Sequence, residues 1–211
     1  EGNAQTFRIL TRLEPKMIAP SGRHVGLNLT RGTLDAVVKY PWGAGEGPLR
    51  EDGSSTPKFN FYSDDADVFA WVRDGAGEGR CVEAQMMDLA DDIAYSTHDV
   101  EDGIVRGLVR TDRLRDPAEQ NRIVEATCRW YGFADGDALG AALERLLCQE
   151  SWPAEFVGTY AQLAQVKDLT SDLIGRFISG VCDATASAHG TGSLRRQSGG
   201  LVIPEATREE I

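Results

Sequence analysis

An all-α fold is predicted by three features of the sequence. Apolar residues recur at helical spacing over nearly the whole chain, most cleanly as Leu139, Ala142, Leu143, Leu146 and Leu147. Helix-start signals punctuate this pattern, the clearest being Asp116 followed by Pro117, an N-cap residue with proline at the first helical position. Only Leu201–Ile203 reads as a strand.

Taken in order, Phe7, Leu10 and Leu13 define a first helix over about 2–14, followed by a Pro/Gly stretch from Pro15 to Gly26. A second helix is capped by Asn28 or Thr30, carries Leu34, Val37 and Val38 on one face, and ends at Tyr40-Pro41. Residues 43–57 (GAGEGPLREDGSSTP) read as a loop. Their GAGEG, repeated at 75–79, lacks the Gly-Lys-Ser/Thr and the strand–helix context of a phosphate loop. A short helix spans 64–73 and a long one 81–106. The next helix opens at Asp116-Pro117, the following one is capped by Asp135 or Asp137, and a last long helix starts at Thr170 with Leu173, Phe177 and Val181 along one side. Pro204-Glu205 opens another helix, and the chain stops with that pattern barely begun. With no initiating methionine before Glu1, both ends read as cut, which makes the chain an interior piece of a longer protein.

Composition narrows the function classes. The 211 residues carry a formal net charge of −11, which argues against non-specific binding of nucleic acid or anionic lipid. A hydrophobic fraction of 41% and a charged fraction of 26% are ordinary for a globular chain. No apolar run approaches the ~18 residues of a membrane span. The four cysteines lie singly, without Cys-x-x-Cys spacing, and read as buried free thiols of a reducing, cytoplasmic environment.

The chemistry concentrates in 83–107. One stripe (Met86, Ala90, Ile93, Thr97, Val100, Ile104) reads as a core seam, and a second collects Asp88, Asp91, Tyr95, Asp99 and Asp102. Like charges four apart destabilise a helix by a few tenths of a kcal/mol per pair. Such a face is either a solvated acidic surface or the wall of a polar cavity in which a hard divalent cation relieves the repulsion. His98 precedes Asp99, but neighbours in a helix point about 100° apart. With His24, His98 and His189 the only histidines, none at ligand spacing, His98 reads as a polar packing residue or one that supports a metal ligand from behind.

Three strings, GLNLTRGTLDAVVKYPW (26–42), PKFNFYSDD (57–65) and EAQMMDLADDIAYSTHDVEDGI (83–104), resemble the deoxyguanosine-triphosphate triphosphohydrolase family of HD-domain enzymes. EGNAQTFRILTRLE and LTSDLIGRFISGV (169–181) extend the likeness over most of the chain. The resemblance implies an all-α helical bundle of the HD-domain type, with 1–110 as a partial HD-type domain and 111–211 as a helical extension. It implies hydrolysis of a dNTP, dGTP foremost, to deoxynucleoside and triphosphate, with a divalent metal as cofactor (Mg²⁺, Mn²⁺ or another transition metal), in a ring-shaped homo-oligomer, often a hexamer.

Residue by residue, the resemblance makes Asp91 the distant metal ligand and has Tyr95 and Asp99 seat the sugar and phosphates. Lys39 and Tyr40 match its KYP motif, Lys58 its KF motif, and Asn3 an asparagine near the substrate. Two lysines suit a triphosphate tail. Arg176 reads as a surface arginine. The family's His, His-Asp pair and following His and Glu fall upstream of EGNAQ, so this polypeptide alone is expected to be inactive. The alternatives are a non-catalytic dNTP-binding regulatory protein and an acidic helical assembly module.

Overall fold

The computed structural model describes residues 1–50, 52–132, 135–190, 196 and 199–211. Their regular elements are all helices, and among them no strand forms, only isolated bridges such as Gly43 with Phe61. The all-α expectation holds. The chain divides into two compact units, Glu1–Leu89 with Gly192–Leu201, and Ala90–Thr191 with Val202–Ile211. No helix is long and apolar enough to cross a membrane among the described residues.

The first unit opens with α1 (Gly2–Arg8), which continues as a π-helical turn over Ile9–Leu13. Helix α2 (Arg31–Ala36) is capped by the Thr30 hydroxyl, which accepts from the Thr33 amide at 3.2 Å. A 3₁₀ turn (Ser63–Asp65) leads into α3 (Ala66–Arg73). These helices bury Phe7, Leu34, Val38, Phe69 and Val72 together. Phe69 stacks on Phe61 at 4.2 Å between ring centroids and meets Phe7 edge-on at 5.6 Å. Gly26 closes against α1: a Cβ there would sit 2.2 Å from the Leu10 carbonyl oxygen, and its φ of +55° favours glycine.

Helix α2 stops at Ala36, short of the expected Tyr40-Pro41. Past that point the Val38 and Lys39 amides turn onto the Asp35 and Val37 carbonyls, and the Tyr40 amide is taken by the Asn60 side chain at 3.1 Å. The buried Asp35 carboxylate is held by Arg73 at 2.6 Å and Arg196 at 2.7 Å, and Arg196 also reaches Glu83. Of the cysteines only Cys81 is buried. Cys148 and Cys182 are exposed, against the expectation of buried thiols throughout. Their chain neighbours Leu147 and Val181 fill the buried positions instead.

Helix α4 (Val82–Val105) belongs to the first unit as far as Leu89 and to the second from Ala90. Its seam is narrower than the sequence implies. Ile93, Thr97 and Ile104 are buried, whereas Met86 and Ala90 are exposed. In the second unit follow α5 (Pro117–Tyr131), α6 (Gly136–Leu147), α7 (Tyr160–His189) and α8 (Glu205–Glu210). Asp116 caps α5 on Ala118 and Asp135 caps α6 on Ala138, each at 3.0 Å.

Helix α7 starts at Tyr160 rather than Thr170, with Thr159 and Gln162 forming a reciprocal capping box. Thr170 instead lies buried inside it, donating to Glu101 at 2.8 Å. The segment expected as a strand, Leu201–Ile203, has its amides drawn to side chains. Leu201 donates to Gln85 at 3.1 Å and Val202 to Thr185 at 3.0 Å. Arg176 is not a loose surface residue: it pairs with the buried Glu210 at 2.6 Å, which Arg145 also holds.

Candidate functional site

In the first unit the two lysine-bearing motifs are stitched together. The Trp42 indole N–H donates to the Lys58 carbonyl at 2.7 Å, and the Asn60 amide donates to the Trp42 carbonyl at 3.0 Å. The Asn60 side-chain oxygen takes the Tyr40 amide, and the Tyr40 and Trp42 rings lie 5.7 Å apart. Asn60 is wholly buried, and its Nδ2 has no hydrogen-bond partner among the described residues. Residues 39–43 and 58–61 therefore run side by side, and Tyr40 and Lys58 share one cluster.

The Lys58 side chain is exposed at the edge of this cluster. Nearby, Asn3 donates to the Glu1 carboxylate at 2.8 Å. Burial pushes the Glu1 carboxyl up, and the Asn3 hydrogen bond with the Lys58 charge outweighs it, leaving the group below its ordinary value. The Glu1 carboxylate thus holds Asn3 and feels the Lys58 charge.

Lys39 is placed differently from Lys58. Its ammonium is 2.7 Å from the Asp88 carboxylate, with side-chain exposures of 17% and 25%. Arg80 holds the other Asp88 oxygen. Burial raises the Asp88 carboxyl, but hydrogen bonds and charge from Lys39 and Arg80 bring it below the usual aspartate range, so it stays ionised.

In the second unit Asp91, Tyr95 and Asp99 occupy the exposed side of α4, and Tyr95 is 66% exposed. Steps of four residues along a helix rotate by about 40° and rise about 6 Å, which sets the three side chains along one strip. His98 turns its Nδ1 toward Glu101 at 3.6 Å, with its side chain 58% exposed. Glu101 is buried and receives Lys167 and Thr170.

No group of three or more His, Cys, Asp or Glu side chains is placed to hold a metal ion among the described residues. One carboxylate, Asp91, does not fix a divalent ion, so these residues do not by themselves fit that cofactor. Sequence reasoning also passed over Arg80, Asn60 and Trp42. Trp42 follows KYP directly and Asp88 precedes Asp91 by one turn, so both carried a positional signal. Arg80 and Asn60 acquire their partners through tertiary folding.

No model of a protein family matches the chain. Curated relatives do. The chain is 51% identical, over all of its length and 45% of the relative's, to a deoxyguanosinetriphosphate triphosphohydrolase-like protein of Bifidobacterium longum. Proteins of the same description from Streptomyces coelicolor and Corynebacterium glutamicum are 47% and 41% identical, again across the whole chain and 49% of their own lengths. The chain spans about half the length of the curated relatives it matches. Identity of 41–51% across the whole chain makes it a member of the deoxyguanosinetriphosphate triphosphohydrolase-like family.

Proposed function

We propose that residues 1–211 form a substrate-lining part of a dNTP triphosphohydrolase, with dGTP the first substrate to test. The observation that carries this reading is the stitching of the KYPW and KFNFY motifs, which brings Tyr40 and Lys58 into one cluster and fixes the backbone that follows Lys39.

In this reading water attacks the α-phosphorus, the bond from phosphorus to the sugar 5′-oxygen breaks, and deoxynucleoside and triphosphate separate. Lys39 and Lys58 neutralise the polyphosphate tail as point charges. Tyr40 flanks that tail, and Asn3 orients the chain beside Lys58. Tyr95 packs its ring edge against the deoxyribose and rejects a 2′-hydroxyl by steric exclusion, while Asp99 accepts from the sugar. Asp91 is one ligand of a divalent ion, Mg²⁺ or Mn²⁺, whose remaining ligands come from outside residues 1–211. Assembly as a ring-shaped homo-oligomer belongs to the same reading.

The test is to incubate the full-length protein with dGTP and Mn²⁺ and separate the products by liquid chromatography. Deoxyguanosine with inorganic triphosphate is the expected outcome. Tight dGTP binding without turnover, or release of dGDP and orthophosphate, overturns it.

A further inference from the structure

Asp88 joins two cations, and only one of them has been given a role. Lys39 and Arg80 each take one oxygen of the Asp88 carboxylate, which sets a guanidinium beside an ammonium. The Arg80 side chain is 35% exposed, and Nη1 is the donor it gives to Asp88. Among the described residues its Nη2 and Nε have no hydrogen-bond partner. A guanidinium with part of its fork unused and its position fixed by a carboxylate is organised to receive a phosphate group.

We propose that Arg80 is a phosphate-tail ligand of the dNTP and that Asp88 is the positioning residue that holds it beside Lys39. This rests on the triphosphohydrolase reading and extends it. Asp88 provides the anchor, since its two oxygens separate the ammonium from the guanidinium and set the spacing of the two positive groups. Arg80 lies two residues before α4 and Lys39 lies three after α2, so the anchor joins two segments that the sequence keeps far apart.

The experiment measures binding of inorganic triphosphate and of pyrophosphate to the full-length protein by calorimetry, in the parent protein and in Arg80→Ala, Arg80→Lys and Lys39→Ala. Arg80→Ala is expected to weaken triphosphate binding roughly tenfold and pyrophosphate binding less, with partial recovery in Arg80→Lys. An equal loss for both anions would mean that Arg80 only braces the fold, and overturns the proposal. So does an Arg80→Ala variant that binds triphosphate like the parent while Lys39→Ala does not; in that case the triphosphohydrolase reading stands. A parent protein that binds neither anion sinks both together.

Discussion

The Trp42 indole donates a 2.7 Å hydrogen bond to the carbonyl of Lys58, sixteen residues further along the chain. The ring of one motif thereby sets the backbone of the other. Trp42→Phe keeps an aromatic ring and removes that donor, a net cost of about 0.5–1.5 kcal/mol. A raised KM for dGTP with little change in kcat is expected of the full-length variant. Unchanged kinetics would show that Lys58 is held by its other neighbours.

Lys39→Ala and Lys58→Ala are each expected to raise the KM for dGTP roughly tenfold, as the loss of one charge-assisted contact does. Lys39→Ala carries an added signature, because Asp88 then keeps a single cationic partner. Steady-state kinetics over a range of dGTP concentrations separates KM from kcat. A fall in kcat at unchanged KM contradicts a tail-binding role.

Tyr95→Ala is expected to narrow the preference for dGTP over GTP by roughly ten- to a hundredfold, since a ring edge excludes a hydroxyl sterically. Comparing kcat/KM for the two nucleotides measures this. A preference that survives in the variant removes Tyr95 from sugar selection.

Glu101 supplies a pH-dependent term. Burial pushes its carboxyl up, but hydrogen bonds from Lys167 and Thr170, with the nearby charges of Lys167 and His98, bring it below the ordinary glutamate value. A depressed folded value means stability that is fully present above the unfolded pKa of about 4.3 and lost as pH falls through the folded one. Thermal denaturation across that acidic window is expected to fall less steeply in Glu101→Gln. Glu101→Ala, which leaves the buried Thr170 hydroxyl with only the Val166 carbonyl, costs about 1–3 kcal/mol at neutral pH.

Asp35→Ala removes a buried carboxylate from between Arg73 and Arg196, and about 3–5 kcal/mol of stability goes with it. Urea denaturation followed by circular dichroism checks this. A loss below about 1 kcal/mol would place the ion cluster among ordinary surface pairs.

Much of this architecture was legible because local chemistry decides it. Asp116 with Pro117 and Asp135 before an amphipathic stripe mark helix starts with side chains that act within three residues. The start of α7 is equally local, in Thr159 and Gln162, but the apolar period strengthens only after Thr170. The early end of α2 was not legible, because Asn60, twenty residues on, takes the Tyr40 amide. The lysines stood out through their motifs, yet their surroundings did not. The Asp88 contact that half-covers Lys39 depends on α4 packing beside the loop after α2 within the first unit. Met86 and Ala90 followed the seam's period and still face solvent, since periodicity alone does not say where a neighbouring helix ends.

Asp35 and Arg196 are 161 residues apart. On a ribosome adding about 5–20 residues per second, Asp35 waits roughly 8–32 s for Arg196. Through that interval Arg73 is made but Arg196 is not, against a carboxylate that ends almost wholly enclosed. The helices from α5 to α7 are made before the clamp closes, so completion of the N-terminal unit is a late event in the chain's biosynthesis.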